Sequence, residues 1–323
     1  MMRNEIYLGV DGGQSHTEAI IADARGVILG RGFGGASNHA EIPGGRERLE
    51  NAIKDSVGAA LKAASLPPVS ETVFVAAHCG MTGGAIYKEQ IIGAIVKSKN
   101  LLVGHDAPTA LFGATAGKPG VVVIAGTGAV VFGINETGET ARVGGLGFLF
   151  SDEGSGFWLA AQMIRLAIKE HDGLRERGGI LEMVLEFFRR TEIRELTDDF
   201  YNGKVSRDEI ARLAERAHAI AAAGNETIRC EIAGGAEVLA SSVKRVAERL
   251  SFAEKFPVAG VGGMFRARLM REYFGKSLRE KSPSAEFCAP RFGPAIGALL
   301  LAYQQGQIEI TENLLNNLQK SSE

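Results

Sequence analysis

The chain has 323 residues, of which 45% are apolar and 23% are charged, and its formal net charge is −2. This length is comfortable for two domains, and the composition is that of an ordinary globular protein. A charge this close to zero gives no electrostatic case for binding nucleic acid or an anionic membrane. No apolar stretch is long enough to span a bilayer, and no signal peptide pattern opens the chain. We therefore expect a cytoplasmic protein that binds neither nucleic acid nor membrane.

Three cysteines, Cys79, Cys230 and Cys288, lie far apart and form no Cys-x-x-Cys or Cys/His grouping. This pattern argues against a disulfide framework and against a zinc site. We expect all three to be reduced, buried apolar side chains.

The first half of the chain predicts three strands followed by alternating helices and strands. Apolar runs place the strands near 5–10, 16–23 and 26–32, with a hairpin turn at 23–26. An apolar stripe at helical spacing predicts a helix over about 45–65, which is ended by two prolines at 67–68. The half is completed by a strand, a helix, a strand and a helix, near 72–77, 84–97, 100–104 and 107–116.

The second half repeats this plan. Strands are predicted at 120–125, 129–134 and 139–143, and helices dominate from about 153 to 250. The remaining elements are a strand, a helix, a strand and two helices, near 256–261, 263–274, 284–288, 293–304 and 308–319. The shared order indicates an internal duplication, so we expect an α/β protein of two lobes with the active site in the cleft between them.

We expect the first lobe to span 1–115 and the second lobe to span 116–305. The helical stretch at about 170–225 has no counterpart in the first half and is interpreted as an insertion. The C-terminal helix at 306–323 is expected to pack back on the first lobe.

Two glycine-rich turns, one in each half, are the strongest functional signal. Each lies between two apolar strands, where backbone N–H groups can approach and converge on a phosphate. This design differs from the P-loop and the dinucleotide fold, in which a single turn opens a helix. The residues that we expect at a polyphosphate are Asp11, Gly12, Gly13, Gln14, Ser15, Gly126, Thr127 and Gly128.

Asp11 ends the first strand beside its glycine turn, where a carboxylate would repel phosphate unless a cation lay between them. We interpret it as a partner of Mg²⁺, acting through water because Mg²⁺ keeps much of its hydration. The alternative is an aspartate that stabilises its own turn by accepting from nearby N–H groups.

Asp106 follows the apolar run 101–104 and begins the predicted helix that carries Pro108 in its first turn. The simpler interpretation is a helix N-cap, which the local sequence favours. The functional interpretation is a carboxylate at the carboxyl end of a strand that orients an acceptor hydroxyl and takes its proton during phosphoryl transfer.

Asp152 precedes a predicted helix and follows a glycine loop at 144–147. Acidic residues are favoured at helix starts by capping and by the helix dipole, which is the simpler interpretation. A carboxylate next to exposed backbone also suits sugar hydroxyls, and the amide of Asn38 in its polar loop suits them equally. We assign no role to His39 or His105.

A further glycine segment at 260–263 suits close approach to an adenine or a ribose.

Together these motifs resemble the sugar-kinase, Hsp70 and actin ATPase superfamily. Within it they look most like N-acetylglucosamine kinases and the related activator ATPases of benzoyl-CoA reductase and hydroxyacyl-CoA dehydratases. The most specific matches are at 10–13, 37–39, 106, 126–128, 145–147 and 152–155. The resemblance implies two ribonuclease H-like lobes of the actin/hexokinase-like ATPase fold that close over ATP, Mg²⁺ and a small-molecule sugar, and it implies a homodimer.

The same resemblance implies roles for individual residues. Asp106 would be the catalytic base, and Ser15 and Thr127 would contact the phosphates of ATP. Adenosine would lie near Ala221, Gly262 and Gly263. The sugar would be held by Asn38, Asp106, Ala129, Val130, Gly145, Leu146, Gly147 and Asp152.

The chain departs from its amino-sugar kinase relatives at three of these positions. Such kinases usually carry Ser-Asn where this chain has Ala129 and Val130, and they often carry Trp in place of Leu146. By comparison with these kinases, the pocket would lose two polar contacts and an aromatic face. The resemblance implies an ATP-dependent kinase for N-acetylglucosamine, with glucosamine and N-acetylmuramic acid as alternatives.

Two other functions stay open at this point. An activator ATPase would drive electron transfer and hold a cluster through cysteine thiolates, although no cysteine lies next to 126–128. A sugar-binding regulator of this fold would commonly add a DNA-binding helical segment before the first strand, and none is predicted.

Overall fold

A computed structural model describes residues 5–38, 40, 42–83 and 86–322. His39 and the start of the helix predicted at 84 lie outside the described residues. The described elements, in chain order, are β1 (Ile6–Gly12), β2 (Thr17–Asp23), β3 (Ile28–Gly34), α1 (Gly45–Ala63), β4 (Val73–Met81), α2 (Ile86–Ile95), β5 (Lys97–His105), α3 (Asp106–Thr115), β6 (Gly120–Ala125), β7 (Ala129–Ile134), β8 (Thr140–Gly144), α4 (Gly156–His171), α5 (Ile180–Phe188), α6 (Ile193–Tyr201), α7 (Arg207–Ala211), α8 (Leu213–Ala222), α9 (Glu226–Arg249), β9 (Phe256–Val261), a 3₁₀ turn (Gly263–Arg266), α10 (Arg268–Lys281), β10 (Ala285–Cys288), α11 (Pro294–Gln305) and α12 (Glu312–Ser322).

These elements form two compact units, each built on one five-stranded sheet. Unit 1 combines the residues up to 119 with those from 289 onward, and unit 2 is the continuous segment 120–288. The strand order is β3-β2-β1-β4-β5 in unit 1 and β8-β7-β6-β9-β10 in unit 2. In each sheet the first three strands along the chain are antiparallel and the last two run parallel to the first. The predicted duplicated α/β fold is confirmed.

Unit 1 differs from the predicted first lobe in containing α11. This helix, with Pro294 in its first turn, packs against β1, β4 and α3. Its close approach depends on glycine, because a Cβ on Gly9 of β1 would come within 2.3 Å of the Leu299 backbone nitrogen. The segment 289–305, expected in the second lobe, therefore belongs to unit 1. The last helix, α12, packs against β3, and Asn317 Nδ2 donates to the Arg25 carbonyl at 2.9 Å.

Three sequence expectations need correction. The helix predicted at 263–274 is a short 3₁₀ turn followed by α10, because the extended backbone of Ala267 (φ −75°, ψ 132°) separates them. The strand expected at 100–104 begins at Lys97, where pairing with β4 extends it despite its polar residues. Cys79 is buried as expected, but Cys230 is exposed on α9 and Cys288 is half-buried.

The core of unit 2 includes residues of the inserted helices α5 to α8 as well as residues of its sheet. Within the ranges that the structure covers, no helix is long and apolar enough to cross a membrane.

Candidate active site

In unit 1, three parallel strands end level with one another, and a polar side chain lies at or just after each end. The register pairs Asp11 with Gly80, and Gly80 in turn with Gly104. Asp11 lies at the end of β1, Thr82 just after β4 and Asp106 just after β5. This edge is where functional groups collect in α/β folds.

Asp106 is the first residue of α3, and the N-cap position falls on His105, whose side chain makes no capping hydrogen bond. The carboxylate instead accepts a hydrogen bond from the Thr82 hydroxyl, with Oγ1 to Oδ2 at 2.7 Å. Asp106 is half-buried. The Asp106 side chain therefore does not cap its helix. Its carboxylate lies at the strand edge, a position that suits a proton acceptor.

Asp11 is a carboxyl group in an environment that disfavours its charge. Burial, followed by the negative charges of Asp106 and Glu18, raises the pKa of Asp11 to about 7. A nearby cation would reverse this effect, since it would favour the ionised form. No group of three or more potential metal ligands of the His, Cys, Asp or Glu type occurs among the described residues. The Asp11 carboxyl group offers oxygen atoms, which are the ligand type that a hydrated Mg²⁺ ion accepts through water.

The first glycine turn is held close to the Asn38 loop. A Cβ on Gly12 would come within 2.6 Å of Ser37 Oγ, and the Ser37 amide donates to the Gly13 carbonyl at 3.1 Å. Asn38 is fixed through its backbone, because Arg48 Nη2 donates to its carbonyl at 2.6 Å. The structure thus brings Asn38 beside the predicted phosphate turn. Gln14 is half-buried and Ser15 is exposed.

The second glycine turn, in unit 2, packs on the start of α4 through its carbonyl groups. Gly156 N donates to the Gly126 carbonyl at 2.7 Å, and Phe157 N donates to the Thr127 carbonyl at 3.3 Å. Among the described residues, the amides of Thr127 and Gly128 make no backbone hydrogen bond in this turn.

Asp152 lies beside this turn and does not cap the following helix. Ser155 is the N-cap of α4, and its hydroxyl accepts from the Trp158 amide at 3.1 Å. Asp152 has left-handed backbone (φ 69°) and is only 5% exposed. Burial raises its pKa, and this effect outweighs the lowering by the Ala129 amide and the positive charge of Arg207. Its Oδ1 is buried and makes no hydrogen bond within the described part of the chain.

The residues predicted to hold the sugar in unit 2 lie together. The backbones of Ala129 and Gly147 adjoin the Asp152 carboxylate, and a Cβ on Gly145 would lie 3.0 Å from Val130 Cβ. Leu146 is 79% exposed, so its side chain is available to a ligand.

The residues predicted near adenosine divide into two groups. Gly262 adjoins the second glycine turn, because a Cβ there would come within 2.4 Å of the Ala125 carbonyl oxygen, and Gly263 faces open space. Ala221 is fully buried in the core of unit 2, and its carbonyl accepts from Arg229 Nε at 2.8 Å. Its side chain therefore has no surface to offer a nucleotide.

Two residues of these clusters were missed in the sequence. Thr82 had a usable signal, since a polar residue within a glycine segment follows a strand there. Arg207 had none, because it lies in the helical insertion. Its Nη2 is 3.6 Å from the position of a Cβ on Gly128, and its guanidinium carbon lies 5.3 Å from the centroid of the Phe148 ring.

Over residues 8–302 the sequence matches the BadF/BadG/BcrA/BcrD ATPase family, and the chain belongs to this family. It is 29% identical to an N-acetyl-D-glucosamine kinase of Dictyostelium discoideum, with 93% of this chain and 98% of that protein covered. It is 27% identical to an N-acetylmuramic acid/N-acetylglucosamine kinase of Clostridium acetobutylicum, covering 91% and 97%. A solved structure described as a putative N-acetylglucosamine kinase from Chromobacterium violaceum superimposes with a TM-score of 0.74 at 26% identity, covering 93% of this chain and 99% of that one.

Proposed function

Starting from membership of this ATPase family, we propose that the protein transfers the γ-phosphoryl group of ATP to a hydroxyl of an amino sugar, with N-acetylglucosamine as the first candidate. The observation that carries the proposal is the Asp106 carboxylate, which lies at the strand edge without capping its helix. Phosphoryl transfer to an alcohol needs such a group to orient the hydroxyl and accept its proton. The similarity to curated amino-sugar kinases along nearly the whole chain supports the choice of acceptor.

Asp106 would act through the carboxylate oxygen that Thr82 does not occupy. Thr82 donates to Oδ2, which leaves Oδ1 for the sugar hydroxyl. Asn38, fixed beside the glycine turn through Ser37 and Arg48, would donate to and accept from a second hydroxyl.

Asp11 would hold Mg²⁺ through water. When bound, the ion supplies positive charge that offsets the charge of the phosphates. Asp11 suits this role because burial and two neighbouring carboxylates disfavour its ionisation until a cation arrives. The Gly12 and Gly13 backbone would then approach the phosphates without a side chain in the way.

In unit 2, the amides of Thr127 and Gly128 would bind phosphate oxygens, and the buried Oδ1 of Asp152 would accept from a sugar hydroxyl. An unpaired buried carboxylate oxygen costs free energy, and a ligand hydroxyl would recover part of it. Gly262 would let adenosine approach the same turn.

N-acetylmuramic acid is the second candidate substrate, and Arg207 is the observation that favours it. This sugar carries a carboxylate, and a guanidinium recognises carboxylates well. Arg207 lies beside Gly128 and Asp152, where such a group would meet it. No observation on the described residues favours the activator ATPase or the regulator, and we propose neither.

A coupled ADP-release assay over amino sugars, neutral hexoses and muramic acids tests the proposal. We expect sugar-dependent ADP formation with N-acetylglucosamine or a close relative, and we expect it to require Mg²⁺. ADP release that is the same with and without every sugar in the panel would reject the kinase function.

A further inference from the structure

We propose that Thr82 is a positioning residue of the phosphoryl transfer, which ties the predicted base Asp106 to the first glycine turn. This inference rests on the proposed kinase function. It concerns a residue to which neither the sequence motifs nor the family resemblance assigns a role.

Thr82 makes contacts in two directions. Its side-chain hydroxyl donates to Asp106 Oδ2 at 2.7 Å, and its backbone amide donates to the Gly12 carbonyl at 2.8 Å. One residue therefore connects the carboxylate that would take the proton with the turn that would hold the phosphates. A shift of about 1 Å in such a group can cost about a hundredfold in rate.

The backbone of Thr82 is also held by a buried lysine. Lys88, on α2, is only 1% exposed, and its ammonium group donates to the Thr82 carbonyl. A hydrogen bond from a charged donor is stronger than a neutral one. Thr82 is therefore anchored through its amide and its carbonyl, and its hydroxyl has a defined direction.

The hydroxyl selects one of the two carboxylate oxygens. Because Thr82 occupies Oδ2, the carboxylate cannot rotate freely without losing that hydrogen bond. The position of the remaining oxygen, Oδ1, is restricted by the same hydrogen bond. Packing supports the same geometry, since a Cβ on Gly80 would come within 2.3 Å of Thr109 Cγ2 on the helix that carries Asp106.

The first test removes the hydroxyl while keeping the shape. Thr82→Val should lower kcat by about 10- to 100-fold, and the KM values for sugar and ATP should change by less than about threefold. Thr82→Ser keeps the donor and should restore kcat to within about threefold of wild type. Thr115→Val is the matched control, because this buried threonine of α3 donates to the Leu111 and Lys118 carbonyls. It should leave kcat unchanged.

A double-mutant cycle separates positioning from a general structural effect. If Thr82 acts through the carboxylate, Thr82→Val should cost little further turnover in an Asp106→Asn background. An equal fold-loss in both backgrounds, or a Thr82→Val enzyme with wild-type kcat, would overturn the inference. Should the valine variant fail to fold, kcat of Thr82→Ala and Thr82→Ser is compared in the same two backgrounds, and the same outcomes apply. A wild-type enzyme that phosphorylates no sugar would instead reject the proposed function, which is a different outcome.

Discussion

At the scale of single residues, Asp106 is the position where the catalytic and the structural interpretations predict opposite effects of substitution on turnover and stability. Asp106→Asn keeps the volume and an oxygen that can accept from Thr82, so stability should change by less than about 1 kcal/mol. Turnover should fall by about 10²- to 10⁴-fold, the usual contribution of a positioned general base. Steady-state kinetics and thermal melting of the variant check both expectations.

The control for this substitution is Asp55→Asn, on the exposed surface of α1. It makes the same chemical change away from the strand edge and should leave kcat at the wild-type value. An Asp106→Asn enzyme with near wild-type turnover would show that Asp106 is not the base.

Asp11 leads to a prediction about pH. Its pKa of about 7 lies above the ordinary value of about 4, so the folded state keeps a proton between pH 4 and 7 that the unfolded state releases. The contribution of Asp11 to stability is therefore present at low pH and is lost as the pH rises through this window. Without Mg²⁺, Asp11→Asn should melt at a higher temperature than wild type at pH 8, and this difference should shrink as the pH falls through 7 toward 4.

Mg²⁺ should reduce this difference in melting temperature by stabilising wild type. If Asp11 holds the ion, adding Mg²⁺ with ATP at pH 8 should raise the melting temperature of wild type more than that of Asp11→Asn, because a ligand stabilises the state that binds it. A difference between the two proteins that stays constant with pH would contradict the assigned pKa.

At the scale of elements, the packing of α11 on α3 depends on glycine. A Cβ on Gly297 would lie 1.9 Å from the Thr109 carbonyl oxygen, which is backbone and cannot turn away. Gly297→Ala should therefore destabilise unit 1 by about 1–3 kcal/mol through overpacking and lower its melting temperature by at least about 3 °C.

The matched control is Gly58→Ala in α1, where the new Cβ would meet no atom within 4 Å. The same substitution should there stabilise the protein by about 0.5–1 kcal/mol, because alanine is the better helix former. Melting temperatures of the two variants should thus move in opposite directions. A gain in stability at Gly297 would mean that the two helices are less tightly packed than described.

At the scale of the whole molecule, unit 1 is discontinuous in sequence and unit 2 is continuous. The α11 helix supplies buried residues to unit 1, among them Leu299, Leu300 and Tyr303, and the Tyr303 hydroxyl donates to the Asp23 carbonyl at 2.7 Å. A chain ending at 288 should therefore lose the fold of unit 1 and keep that of unit 2.

Limited proteolysis with mass spectrometry measures this outcome. Cleavage in the 1–288 chain should concentrate before residue 119, whereas 120–288 should resist. A chain ending at 307, which lacks α12 and the short segment before it, should resist in both units, because α11 is retained. Equal resistance of unit 1 in the two truncated chains would show that α11 is dispensable for its fold.

The sequence by itself determined the duplicated strand-turn-strand plan, the order of the elements and the two glycine turns. These features depend on apolar periodicity and turn chemistry, which act over a few residues and can be read locally. The same local reading favoured a cap at Asp106, and there it failed. The helix begins at Asp106, one residue earlier than a cap there would require, and the carboxylate accepts from Thr82, which lies 24 residues away in sequence.

Only the tertiary structure decided which distant residues share a site and how buried each one is. The assignment of α11 to unit 1, the proximity of Arg207 to Gly128 and Asp152, and the burial of Ala221 all depend on contacts between remote segments. The raised pKa of Asp11 has the same origin, because desolvation and the charges of Asp106 and Glu18 follow from packing. Local patterns specify elements, whereas burial and distance are properties of the assembled chain.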